Sequence, residues 1–237
     1  DVAVNNELHR YMPGQISLIS IQSLGGNDKI LIDASLDSLA CPSTIDGGSG
    51  NDTITTGEGA DSILGGSGND RIYAGGGDNV ISSAEGNDIV ITGAGKDSIN
   101  SGIGNDTVDA GNGNDTIVDA GGQDSLTAGA GNDVASLAGS GFISGGTGND
   151  TLVSGGGMLV EGDSGNDYLM GSYVFGGGGN DTIEGTAGPD ELHGGAGSDN
   201  IYGHKGNDTI FGDAGGDALY GGPDDATIYC GAGDDKL

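Results

Sequence analysis

The chain has no tryptophan, 4% aromatic and 33% hydrophobic residues among its 237, so the oily interior of an ordinary domain of this length is not available to it. Positive charge is equally scarce. Six Lys plus Arg stand against 36 Asp plus Glu, giving a formal charge of -30; such a polyanion repels nucleic acid and anionic lipid and attracts metal cations or basic partners. Nucleic-acid binding is excluded on that ground. No run of 18 apolar residues exists, so membrane insertion is not expected. The opening DVAVNNELHRYMPGQ lacks the basic start and apolar stretch of a signal peptide, and a chain beginning at Asp1 reads as processed or excised. Two cysteines, Cys41 and Cys230, are too few for a disulfide framework. His9, His193 and His204 are dispersed, and no His or Cys pair has zinc or catalytic spacing. The sequence therefore offers no catalytic constellation, and an enzyme is not expected.

What is abundant is glycine, 54 residues, and beside so much acid it would read as disorder were it not strictly periodic. GGSGNDTIT at Gly47 to Thr55 returns as GGSGNDRIY at Gly65 to Tyr73, with TGEGADSIL between, so the period is nine. With Asp at position six and an aliphatic at position eight, the register runs through Asp52, Asp61, Asp70, Asp88, Asp97, Asp106, Asp115, Asp124 and Asp133. It resumes as GGGGNDTIE from Gly176 and continues through Asp181, Asp190, Asp199, Asp208 and Asp217 to Asp235, with Leu237 in the last aliphatic slot.

Each position has a physical role. Positions seven to nine make a short strand whose middle residue points inward while its neighbours point out. The first six make a turn, glycine-rich because positive φ and close backbone approach exclude a Cβ. The many G-x-G-x-x-G matches lie inside nonapeptides and open no helix, so they carry no nucleotide reading. The N-D-T triplets at Asn51, Asn105, Asn114, Asn149, Asn180 and Asn207 match the glycosylation sequon but are read as repeat consensus.

The pattern G-G-x-G-x-D-x-U-x resembles the repeats-in-toxin (RTX, hemolysin-type) family of calcium-binding nonapeptides from about Leu24 onward. The resemblance implies an all-β, right-handed parallel β-roll (a β-solenoid) with two nine-residue repeats per turn and two short parallel sheets. It also implies Ca²⁺ held between stacked loops on each edge, and a secreted or extracellular, possibly cell-surface, location. Residues eighteen apart then stack. Asp52, Asp70, Asp88, Asp106 and Asp124 would line one column, and Asp61, Asp97, Asp115 and Asp133 the other. Counting stacked pairs gives roughly a dozen or more ions, enough to offset most of the charge.

The middle of the chain tests this register. LAGSGFIS, SGGGMLVE and GSYVF are short and lack the ligand Asp, and they alternate with the intact copies holding Asp150 and Asp167. All three defects then fall on the Asp124 edge. One unbroken column is expected through Asp133, Asp150, Asp167, Asp181, Asp199, Asp217 and Asp235, while the opposite one resumes at Asp190 and Asp208. Weaker sites are expected at Asp78 with Asn79, and at GGPDDATIY, where Asp224 and Asp225 precede Ala226. Gln15 to Ser38 alternates aliphatic and polar residues, and Asp28 and Asp37 sit nine apart, so degenerate repeats are expected there. The division is therefore 1–23 lead-in and capping strand, 24–46 degenerate repeats, 47–136 regular repeats, 137–175 irregular repeats and 176–237 regular repeats.

Outward position nine becomes aromatic late in the chain, with Tyr202 and Tyr220 stacking on one face and Phe211 and Tyr229 on the other; this either stiffens exposed sheet or marks a self-association surface. Cys41 and Cys230 would lie about ten turns or roughly 50 Å apart in one roll, too far to pair. They are either small buried residues or cross-links between chains. Three functions remain open. The first is a structural protein, in an extracellular fibre or surface matrix, whose rolls stack end to end through an uncapped final rung. The second is a secretion and folding module of a larger RTX enzyme, toxin or adhesin. The third is a polysaccharide- or ice-binding roll, although a sustained Thr row is missing from Thr55, Tyr73, Ile91, Asp109, Thr127. The first is preferred.

Overall fold

The computed structural model describes residues 2–4, 7–9, 18–32 and 40–237; the predicted Asp37 lies outside the described residues. The chain forms two compact units, Asp1–Leu126 and Thr127–Leu237. Among the described residues the elements are all strands, and no helix is long and apolar enough to cross a membrane.

In the N-terminal unit one parallel sheet carries Lys29–Ile32, Thr53–Thr55, Arg71–Gly75, Ile89–Thr92 and Thr107–Asp109. The second carries Ile19–Gln22, Ser43–Ser49, Ser62–Ser67, Val80–Glu85, Ser98–Ile103 and Thr116–Gly121. The chain visits the sheets alternately, so each strand pairs with the next but one. Ile54, Ile72, Val90 and Val108 stand in register in the first sheet, and Ile45, Ile63, Ile81, Ile99 and Ile117 in the second. All nine are buried and constitute the core, while most position-nine neighbours stay accessible, as strand alternation requires. Val2–Val4 pairs antiparallel with Ile30 to Ile32 on one side and with Glu7–His9 on the other, covering the edge of the first parallel strand.

The C-terminal unit repeats the plan. Ala135, Leu152, Leu169, Ile183, Ile201 and Leu219 are in register in one sheet, and Ile143, Val160, Val174, Leu192, Ile210 and Ile228 in the other. The short copies contribute Ile143, Val160 and Val174, all buried, so the missing residues come out of the turns and leave strand register intact. Leu237, in the last aliphatic slot, is 76% exposed, beside the pairing of Ala218 with Lys236. Cys41 and Cys230 are both of intermediate exposure, so the reading as small buried residues does not describe them.

Glycine is favoured where one turn passes over another. At Gly66, φ is 114°, and a Cβ would overlap the carbonyl of Gly48 on the rung beneath. One rung on, Ala84 holds the same place at a φ of 80°, so a methyl is accommodated there only with a left-handed backbone.

Candidate metal centres

The position-six aspartates form hydrogen-bonded ladders along the edges of each unit. In every step the backbone N–H of one Asp donates to Oδ1 of the Asp one rung later. Asp52 donates to Asp70 at 2.8 Å, Asp70 to Asp88 at 2.7 Å, Asp88 to Asp106 at 2.8 Å and Asp106 to Asp124 at 2.9 Å. Asp28 donates to Asp52 at 2.7 Å across a longer turn of 24 residues. On the other edge of this unit Asp61 donates to Asn79, Asn79 to Asp97 and Asp97 to Asp115. In the C-terminal unit the ladder runs unbroken from Asp133 through Asp150, Asp167, Asp181, Asp199 and Asp217 to Asp235. Its steps shrink to 17 and 14 residues where the half-turns are short.

One carboxylate oxygen is thereby used and the other is not. Oδ2 of Asp52, Asp70, Asp97, Asp106, Asp150, Asp167, Asp181, Asp199, Asp208 and Asp217 is buried with no hydrogen-bond partner. Leaving so many buried anionic oxygens unsatisfied is costly. Glycine at position one shapes the space they face. A Cβ on Gly194 would lie 2.5 Å from Asp199 Oδ2 and 2.8 Å from the carbonyl oxygen of Gly212. A Cβ on Gly203 would lie 2.5 Å from Asp208 Oδ2 and 2.9 Å from the Gly221 carbonyl. A carboxylate oxygen and a carbonyl oxygen from the next rung thus converge on a cavity that any side chain would fill. Hard cations such as Ca²⁺ take this all-oxygen mixture of carboxylates and carbonyls, so the residues present fit the ion.

Electrostatics agree. Burial first, and neighbouring carboxylates after it, push Asp70, Asp150 and Asp199 up to about 6 and Asp106 and Asp167 up to about 7, against backbone hydrogen bonds that pull the other way. Burial also raises Asp52, Asp88, Asp181 and Asp217. A column of this kind needs a proton or a cation at neutral pH.

The model of the RTX calcium-binding nonapeptide repeat matches residues 46–81, 82–117, 109–136, 137–157, 175–210 and 202–237, well over half of the chain. The chain belongs to this family. It is a calcium-binding RTX β-roll. A search of curated protein sequences returns no match. Among solved structures it is similar to the crystal structure of a hyperactive, Ca²⁺-dependent, β-helical antifreeze protein from an Antarctic bacterium, at 24% identity over 95% of this chain and 85% of that one, with a TM-score of 0.48. That likeness is too distant to bear on what this roll does.

Within the RTX register the weaker predicted positions separate. Asn79, not Asp78, occupies the inner column, fully buried, with its Nδ2 donating to the Gly77 carbonyl at 3.0 Å. Asp78 stands one position out, where its Oδ1 accepts from the Lys96 amide. Asp225 is exposed and Ala226 takes the inner position, so that copy brings no carboxylate into the ladder. Asp190 and Asp208 are brought together, at 3.1 Å, but both oxygens of Asp190 also accept from Thr186, from its amide and its hydroxyl. No ligand Asp stands one rung earlier on that edge, because Ser172 occupies that place, and the carboxylate turns to its own loop instead.

Three features escaped the sequence reading. The position-five residues form a second, outer ladder of opposite polarity: Oδ1 of Asn27, Asn51, Asn69 and Asn87 each accepts the amide of the following rung, at 2.7–2.8 Å. The recurring N-D dipeptide was its signal. At position one, Thr56, Ser83 and Asp119 replace glycine and reach the carboxylates of Asp61, Asp88 and Asp124. His193, read from the sequence as a dispersed surface residue, is of intermediate exposure and is also sandwiched between Phe175 and Phe211 at 4.4 and 4.3 Å.

Proposed function

We propose that this roll is an extracellular protein that folds when Ca²⁺ fills its aspartate columns and then serves as a rigid structural or assembly element, in a fibre or surface matrix. The observation that carries the reading is the row of buried, unpartnered Asp Oδ2 atoms, which face a next-rung carbonyl wherever position one is glycine. Ions between successive rungs, roughly a dozen or more, would neutralise most of the -30. Extracellular calcium modules bind with constants on the order of 10⁻⁴ to 10⁻³ M, so folding would wait for export. The ligand set is the position-six series from Asp52 to Asp235, with Asp28 at its start.

The aromatic rows support stiffening over ligand recognition. Phe175, His193, Phe211 and Tyr229 stack at 4.3–4.8 Å with interplanar angles of 11° or less, and Tyr202 on Tyr220 at 4.8 Å and 4°. Saccharides dock on ring faces, and the faces between stacked neighbours are covered by one another. No catalytic role is proposed.

Circular dichroism of the chain in chelator and in millimolar Ca²⁺ tests the folding claim; equal β content in both would refute it. Negative-stain microscopy tests assembly. Filaments in calcium that dissolve in chelator are expected, and single short rods at all concentrations would remove the structural role while leaving calcium binding in place.

A further inference from the structure

One rung departs from the repeat in a way that changes its chemistry. Asp119 stands at position one, where Gly47 and Gly65 stand in the same column. Its side chain is 3% exposed, and a break in the pairing register at Gly102 and Asp119 makes room for it, as a bulge re-aims a side chain. The Ser101 hydroxyl donates to its Oδ1 at 2.8 Å and the Gly121 amide to its Oδ2 at 2.8 Å. Asp106, Asp119 and Asp124 thereby bring carboxylate oxygens within 4.8 Å of one another, all buried. Asp106 is 2% exposed, and its Oδ2 is buried with no hydrogen-bond partner.

We propose that Asp106, Asp119 and Asp124 form a three-carboxylate cation site that holds one Ca²⁺ more tightly than the two-carboxylate sites of the regular repeat. The inference rests on the calcium reading above and adds a ligand outside the repeat consensus. Affinity in calcium sites rises with the charge the ligands supply, and a third carboxylate held by two donors is already aimed before the ion arrives. The sequence offers a reason for the placement: Asp124 is the last ligand Asp on its edge before the short copies. A tight ion there would hold the column where no later carboxylate helps.

Titration of the full chain with Ca²⁺ by calorimetry, and with Tb³⁺ by luminescence, tests this. Wild type should show one ion bound about tenfold or more tighter than the remainder. Asp119→Gly restores the repeat's own residue and should abolish that tight class alone; Asp119→Asn, which keeps the shape and removes the charge, should do the same, should the glycine variant not fold. Retention of the tight ion in either variant, or tighter binding than wild type, would overturn the proposal. A single uniform class in wild type would also sink it and leave the calcium reading standing, whereas no calcium uptake at all would remove both.

Discussion

At the scale of single residues, the aspartate at position six does two jobs with its two oxygens, and substitutions should separate them. Asp167→Asn keeps an acceptor for the Asp150 amide, which donates at 2.8 Å, but removes the charge that faces the cavity. We expect about one or two fewer ions per chain by calorimetry and a higher calcium midpoint for folding, with the folded spectrum recovered at saturation. Asn79 is the natural counterpart. Asn79→Asp adds a carboxylate to a ladder in which the Asp61 amide donates to Asn79 Oδ1 and the Asn79 amide to Asp97 Oδ1, and should lower the calcium midpoint several-fold; an unchanged midpoint would show that the edge binds nothing there. Gly66→Ala should fail differently. At φ 114° and against the Gly48 carbonyl, the methyl costs roughly 1–3 kcal/mol of strain whether or not the ion count changes, and thermal melts in saturating calcium would register it.

At the scale of the strand and its turn, the design separates core from ligand. The inward aliphatic sets register, and the turn sets whether a carboxylate is present. That is why Val160 and Val174 stay buried in copies whose turns have lost residues. Ile183→Ala should therefore cost about 2–5 kcal/mol in the calcium-loaded state without changing ion stoichiometry. Phe211→Ala removes two ring contacts, with His193 and Tyr229, and should cost about 0.5–1.5 kcal/mol per pair, again with the ion count constant. Equilibrium melts and calorimetry on the same samples distinguish these from the ligand variants.

At the scale of the whole molecule, acid and calcium are alternatives for the same oxygens. Asp70, Asp150 and Asp199 lie at about 6 and Asp106 and Asp167 at about 7, raised from 3.8. A carboxyl raised in the folded state stabilises that state fully below its unfolded value and loses the contribution as pH rises through its folded value. The chelated chain is thus expected to gain β structure at and below about pH 4 and to lose it as pH rises from there to about 7. The calcium-loaded fold should behave oppositely, its affinity falling as pH drops through the same window because protons displace the ion. Circular dichroism across pH, with chelator and with calcium, reads both arms.

The nine-residue period by itself determined the short strands, the inward aliphatic and the recurring aspartate, because strand alternation fixes which residue faces in. The parallel roll and its i to i+18 register were what the resemblance to RTX repeats implied, since a period of nine does not say how many repeats close a turn. With two repeats per turn, the phase of the sequence placed the three short copies on one edge. Only the tertiary structure decided what depends on contact between rungs: which oxygen of each Asp is spent on the ladder, that Asn79 and not Asp78 lies inside, that His193 joins an aromatic stack, and that Asp119 turns in to meet Asp106 and Asp124. Those are distances between residues a turn apart, and a local pattern, however regular, does not contain them until the backbone has closed the turn.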